Sequence, residues 1–149
     1  MTLLVTGGTG FVMSNVILDW LTGDPGARAV SVDLAAPDAV AERFFAAVRD
    51  RIEFVTGDAR DPALLVDLAT RHDVTEIVHG AAMTPTAGTT EKSQAAMIVG
   101  VNVMGTVHAL EAACAARGLK RMIHVSTGSV YGDDGPAGGA ALPEDGYVR

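Results

Sequence analysis

A single cysteine, Cys114, in 149 residues rules out an internal disulfide. The chain must hold together by packing alone, as expected of a protein kept in a reducing cytoplasm. Cys114 lies in an Ala-rich run from Glu111 to Arg117, where a small buried side chain is the ordinary expectation. Positive charge is also scarce: 11 Lys and Arg stand against 18 Asp and Glu, for a net charge of −7, and no basic block occurs. That balance speaks against nucleic acid and anionic membrane as partners. No apolar run approaches the ~18 residues of a membrane span. The opening run Leu3-Leu4-Val5 is too short for a signal peptide and lacks basic flanks. No internal repeat appears, and no compositional bias precedes the Gly/Pro/Ala-rich stretch from Asp133 to Pro143. Apolar residues are plentiful, however: at 48% they suffice for the core of one domain.

The informative stretch is the beginning. Leu3-Leu4-Val5 has the length and branching of a buried strand and runs into Thr6-Gly7-Gly8-Thr9-Gly10. A helical pattern then starts at Phe11 and continues through Val12, Val16, Ile17 and Trp20-Leu21. A strand that turns through glycines into a helix aims unpaired backbone N–H groups at one point. The helix dipole adds partial positive charge there, which suits a phosphate. Gly7 can take backbone angles closed to other residues, and Gly10 lets a pyrophosphate approach the main chain. Met13 breaks the pattern, because a third small residue usually stands there to bring helix and sheet together. The methionine must swing aside or push the helix out.

Strand and helix patterns alternate from there. Ala29 to Val32 reads as a second strand closing at Asp33, roughly twenty residues past the glycine turn, where a carboxylate can accept from adenosine ribose hydroxyls. It would repel a 2′-phosphate, so NAD is favoured over NADP. Pro37 to Asp50 reads as a helix with Val40, Phe44-Phe45 and Val48 inward, and Ile52 to Val55 as a third strand. Asp61 before Pro62 forms a helix N-cap for the segment to His72. Asp58 either reaches the adenine amine or is a plain turn residue. Glu76 to His79 is the fourth strand, and Gly80-Ala81-Ala82 would leave the crevice beyond it open. His79 itself is expected in packing. Thr84 to Thr90 is a polar loop. Glu91 to Arg117 reads as one long helix with two apolar stripes: Ala96, Val99, Val103, Val107, Leu110 and Cys114, then Met97, Ile98, Val101 and Met104. Such a helix should pack on the sheet and on something else. Asn102 among them must find partners, either neighbouring backbone or the crevice. Gly118 closes the helix. Arg121 to Val125 is the fifth strand, leading to Ser126-Thr127-Gly128-Ser129-Val130-Tyr131-Gly132, whose hydroxyls form either a turn or part of a site.

Five strands alternating with helices predict an α/β fold, a doubly wound parallel sheet of Rossmann type in the order 3-2-1-4-5 with right-handed crossovers. Taken together, TGGTGFVMSNV, Asp33, Gly57-Asp58-Ala59-Arg60-Asp61, His79-Gly80-Ala81-Ala82, Asn102-Val103-Met104-Gly105-Thr106 and the Ser126–Gly132 motif resemble the extended short-chain dehydrogenase/reductase family, the NAD-dependent sugar epimerases and dehydratases. The resemblance covers essentially the whole chain. It implies that Gly7, Gly10, Phe11 and Val12 cradle a pyrophosphate and Asp33 holds the adenosine ribose. It also implies Asp58 and Ala59 near adenine, Gly80, Ala81 and Ala82 along the cofactor, and Asn102 in the crevice. Thr127 matches the catalytic Ser/Thr that hydrogen-bonds the reacting hydroxyl or carbonyl. NAD is the implied cofactor, no metal is expected, and the implied substrate is a sugar or nucleotide sugar.

Two departures qualify that likeness. Met13 replaces Gly or Ala, and the Tyr-x-x-x-Lys pair, in which lysine lowers the tyrosine pKa for acid/base work, does not occur. Tyr147 has only Val148 and Arg149 after it, and Tyr131 belongs to another motif. The whole chain is therefore expected to be one Rossmann domain, the cofactor half of a longer hydride-transfer enzyme, inactive by itself and self-associating through the 91–117 helix. The alternative expectation is a non-catalytic NAD-binding sensor or interaction module. A Tyr-x-x-x-Lys downstream of Arg149 would favour the enzyme, and a stop codon the module.

Overall fold

The computed structural model describes residues 1–85 and 90–127. The central part of the Thr84–Thr90 loop, the motif beyond Thr127, Tyr131 and Tyr147 lie outside the described residues. Five strands, β1 (Thr2–Thr6), β2 (Arg28–Asp33), β3 (Ile52–Thr56), β4 (Glu76–His79) and β5 (Arg121–His124), pair in parallel in the order β3-β2-β1-β4-β5. The order reverses beside β1, so the carboxyl ends of β1, β2 and β4 flank the crevice where such sheets take ligands.

Residue alternation along β1 divides the core between two faces. Leu3 and Val5 join Met13, Ile17 and Leu21 of α1 (Phe11–Gly23), with Phe45 and Val48. Leu4 faces the other way, with Val30 and Val32, Leu65 and Leu68 of α3 (Pro62–Arg71), and Ala109 and Ala112. Met13, Ile17 and Leu21 recur every fourth residue, which puts them on one side of α1. Phe11 and Val12 are 87% and 60% exposed, so Val12 is no part of the inward pattern. Asp61 caps α3 as expected, its side chain accepting from Leu64 N–H with Pro62 in the first turn.

The segment after β2 differs from the single helix read over Pro37–Asp50. It is α2 (Ala39–Phe44), capped by the Asp38 carboxylate, then a 3-10 turn over Ala46–Arg51. Phe45 breaks the helix at φ −92°, ψ 4° and is fully buried, whereas Val40 is exposed. Two short elements can aim Phe45 and Val48 into the same core pocket, which one straight helix with Val40 also inward would not.

The long helix carries the larger correction. It runs as α4 (Glu91–Val99), a π turn over Gly100–Met104, and α5 (Gly105–Ala115). Neither apolar stripe is the side that docks. Gly105, Ala109, Ala112 and Ala116 are buried, while Ala96, Val99, Val103, Val107, Leu110 and Cys114 are exposed, as are Met97 and Met104. Against α3 and the sheet the helix comes so close that only small residues fit. A Cβ on Gly105 would already stand 3.6 Å from His79 Cε1 and 3.7 Å from Ala59 O. Cys114, expected to be buried, points outward for the same reason. Lys92–Ala115, at 24 residues, is long and apolar enough by length and composition to cross a membrane, which corrects the expectation that nothing approaches a span. Its small-residue face is nonetheless docked on this domain.

Candidate functional site

At the end of β1 the chain turns through Gly7, whose φ of +72° is open to glycine and strained for other residues. A Cβ there would sit 3.0 Å from Ala81 N, so its absence also lets the turn press against the exit of β4. Gly7 N–H donates to Val32 O (2.8 Å), and Gly10 N–H to Gly7 O (3.0 Å). Helix α1 follows with Gly10 at its cap position and no side chain capping it. Its first N–H groups have no acceptor within the helix, and they point where the dipole is positive.

Asp33 ties the end of β2 to this turn. Its Oδ2 accepts from Thr9 Oγ1 (2.6 Å) and Thr9 N (3.0 Å), and Oδ1 accepts from Leu34 N (2.8 Å). Acceptor capacity remains on Oδ1. The carboxylate therefore stands beside the glycine turn rather than out in bulk water.

Beyond β3, Gly57 leads to Asp58 and Arg60, which form a tight local pair. Arg60 Nη2 donates to Asp58 Oδ2 (2.6 Å), Nε lies 3.0 Å from both oxygens, and Arg60 N donates to Oδ1 (2.8 Å). The guanidinium hydrogen bond holds the Asp58 carboxyl below its usual range despite partial burial, and raises Arg60 correspondingly. The far side of Arg60 reaches helix α4, with Nη1 3.2 Å from Met97 Sδ and its Cδ near the α-carbon of Gly100.

The strip after β4 is fixed from two sides. Thr6 Oγ1 accepts from Ala81 N–H (3.2 Å) and shares a 2.7 Å hydrogen bond with His79 Nδ1. Asn102 clamps the main chain of Met83, its Oδ1 accepting from the N–H (2.7 Å) and its Nδ2 donating to the carbonyl (2.9 Å). Of the two roles open to this amide, the structure shows the backbone tie. It falls in the π turn, and the same side chain lines a 330 Å³ cavity with Met83 and Thr84. His79 is buried as expected, stacked on His124 at 5.6 Å, and burial followed by the His124 charge lowers its pKa to about 4.

These pieces enclose one groove of about 560 Å³. Gly7, Gly10, Asp33, Asp58, Ala59, Gly80, Ala81 and Ala82 line it, and the structure thus brings together most of the residues singled out in the sequence. Leu34, Arg60, Met83, Met97 and Val101 line it too, and were not foreseen. Arg60 had a visible signal, a cation two residues after a carboxylate in a short turn. Phe11 and Val12 are not in the lining, and of these two only the main chain at the helix start lies near the glycine turn. Thr127 is exposed just past β5, where Val125 N–H donates to His79 O (3.0 Å) and carries the pairing to the carboxyl edge of the sheet. Among the described residues no cluster of His, Cys, Asp and Glu suits a metal.

Residues 3–147 match the model of the NAD dependent epimerase/dehydratase family. The chain belongs to that family. Among its members, a dTDP-glucose 4,6-dehydratase of Mycolicibacterium smegmatis is 38% identical over 140 residues, covering 92% of this chain and 40% of the relative. The crystal structure of a dTDP-glucose 4,6-dehydratase from Bacillus anthracis in complex with NAD superimposes with a TM-score of 0.76 at 26% identity, covering 100% of this chain and 44% of that one. A UDP-glucose-4-epimerase from Stenotrophomonas maltophila, solved with NAD and formylated UDP-arabinopyranose, gives 0.74 at 28% identity, covering 89% and 38%. The chain thus spans about two fifths of the length of the relatives it matches.

The groove fits the family's dinucleotide on its own geometry. Gly7 and Gly10 leave the turn bare of side chains. The Met13 thioether is absent from the lining: the residue is 5% exposed and packs into the core under Gly80. The anomaly at the third small position has been absorbed on the sheet side.

Proposed function

We propose that this chain is the cofactor-binding part of an NAD-dependent nucleotide-sugar epimerase or dehydratase. The observation that supports it most is the convergence of Gly7, Gly10, Asp33, Asp58, Ala59 and Gly80–Ala82 on one groove at the switch point of the sheet. In this reading the glycine turn and the main-chain N–H groups of Phe11 and Val12 bind the pyrophosphate. Asp33 accepts from the adenosine ribose, and Asp58 with Ala59 borders adenine. Gly80, Ala81 and Ala82 run along the remainder, kept in place by Thr6 and Asn102. NAD, when bound, supplies a hydride acceptor. Thr127 orients a sugar hydroxyl or carbonyl at the edge of the groove. No Tyr-x-x-x-Lys pair is present in these 149 residues, so this chain alone binds without turning over.

A second copy of the chain covers the outward stripe of the 91–117 helix, which otherwise leaves Val99, Val103 and Leu110 more than half exposed. Calorimetric titration of NAD into the chain tests the main reading. Saturable binding, kept in a Met13→Gly variant and lost when Asp33 is replaced by Ala, supports it. No binding at millimolar NAD overturns it.

A further inference from the structure

The pair formed by Asp58 and Arg60 has a consequence for which ring the groove accepts. A carboxylate offers about four lone-pair positions. Here three N–H groups of one residue, the main-chain N, Nε and Nη2 of Arg60, converge on the two oxygens, with Nε shared between them. A single acceptor position is left. The arginine is itself held at its far end by Met97 Sδ and lies against Gly100, so it bridges from the β3–α3 turn to helix α4 on the wall of the groove. A carboxylate gripped this way cannot turn over freely. A planar guanidinium holds both oxygens at once, which a lysine ammonium does not.

We infer that Arg60 is a positioning residue that sets base specificity: it fixes Asp58 so that one remaining lone pair selects a ring carrying an amine, adenine, against one carrying an oxygen at the same place. A donor amine completes the carboxylate. A carbonyl there faces a negative oxygen with no proton between them, and a buried polar group left unpaired is what gives a site its discrimination. This rests on the reading of the groove as an adenine dinucleotide site.

The test compares NAD with its hypoxanthine analogue, which differs only by oxygen for the amine, by calorimetry on the chain, Arg60→Ala and Arg60→Lys. The parent chain is expected to bind NAD at least ~10-fold more tightly than the analogue, the size of one good hydrogen bond to a charged group. Arg60→Ala is expected to bring the ratio to within about threefold, mainly by weakening NAD, with Arg60→Lys in between. Thermal unfolding should stay close to the parent, since Arg60 is a surface side chain that supports no core residue. A parent chain that binds both ligands equally overturns the inference while leaving the dinucleotide reading intact, and so does an alanine variant that keeps the full ratio. A parent chain that binds neither ligand overturns the dinucleotide reading and the inference with it.

Discussion

Met13 and Gly80 are a complementary pair. The helix residue that should be small is large, and the residue that follows the facing strand has no side chain. A Cβ on Gly80 would collide with Met13 Sδ and stand 2.6 Å from its Cγ. Volume has been moved from one side of the helix–sheet contact to the other, and the glycine turn beside it keeps its shape. Gly80→Ala should therefore destabilise the fold by about 1–3 kcal/mol through overpacking, and Met13→Ala by about 2–5 kcal/mol through the cavity it leaves. The double variant should lose clearly less than the sum, because the new methyl enters space the thioether vacated. Urea unfolding of the four proteins measures this, and strict additivity would show that the two residues are not coupled.

Asp33 serves the turn and the ligand at once. Asp33→Ala removes the two bonds from Thr9 as well as the acceptor offered to ribose. NAD affinity should fall by at least ~10-fold, and the preference for NAD over NADP should shrink because the charge that repels a 2′-phosphate has gone. Thr9→Val isolates the turn: it should weaken NAD and NADP by the same factor. Calorimetry with both cofactors separates the two effects, and an unchanged NAD/NADP ratio in Asp33→Ala would remove Asp33 from specificity.

His79 makes stability depend on pH with a definite sign. Burial, then the His124 charge, hold its pKa at about 4 in the fold, against about 6.5 in an unfolded chain. Between those values the unfolded chain binds a proton that the fold does not. Stability is thus full above the unfolded pKa and falls as pH drops, by about 1.4 kcal/mol per unit and up to about 3 kcal/mol in all. Carboxylates titrate in the same region, so the comparison is with His79→Leu, in which their contribution persists. Urea midpoints from pH 7.5 to pH 4.5 should fall more steeply in the parent chain, and parallel curves would show that His79 is not the group responsible.

Strand runs, their order and the glycine turn were legible because each leaves a local signature: apolar alternation, turn residues, and a carboxylate at a fixed remove. The side of the 91–117 helix that docks was not. Hydrophobicity ranks Val103 and Leu110 above Gly105 and Ala109, yet proximity to α3 and the sheet is decided by size, so the smallest residues went inside. The π turn at Gly100–Met104, which shifts the phase of the helix just where Asn102 reaches Met83, leaves no mark in periodicity. Nor did the tie between Thr9 and Asp33, because it links residues on separate strands' loops.

That misread face yields the last prediction. Val99, Val103, Val107 and Leu110 are 54%, 53%, 38% and 51% exposed and follow one another along one side of a long helix. Isolated apolar residues on a surface are ordinary, but a continuous stripe of this length is not. Two copies packed along it would bury each residue against its counterpart. Val103→Asp with Leu110→Lys should give a monomer in sedimentation equilibrium, where the parent chain associates. The unfolding free energy extrapolated to low protein concentration should hardly change, since neither side chain contributes to the core. NAD affinity should also survive, because the stripe lies outside the groove. A parent chain that stays monomeric at high concentration would show that the stripe is not a self-association surface, and an associating double variant would place that surface elsewhere.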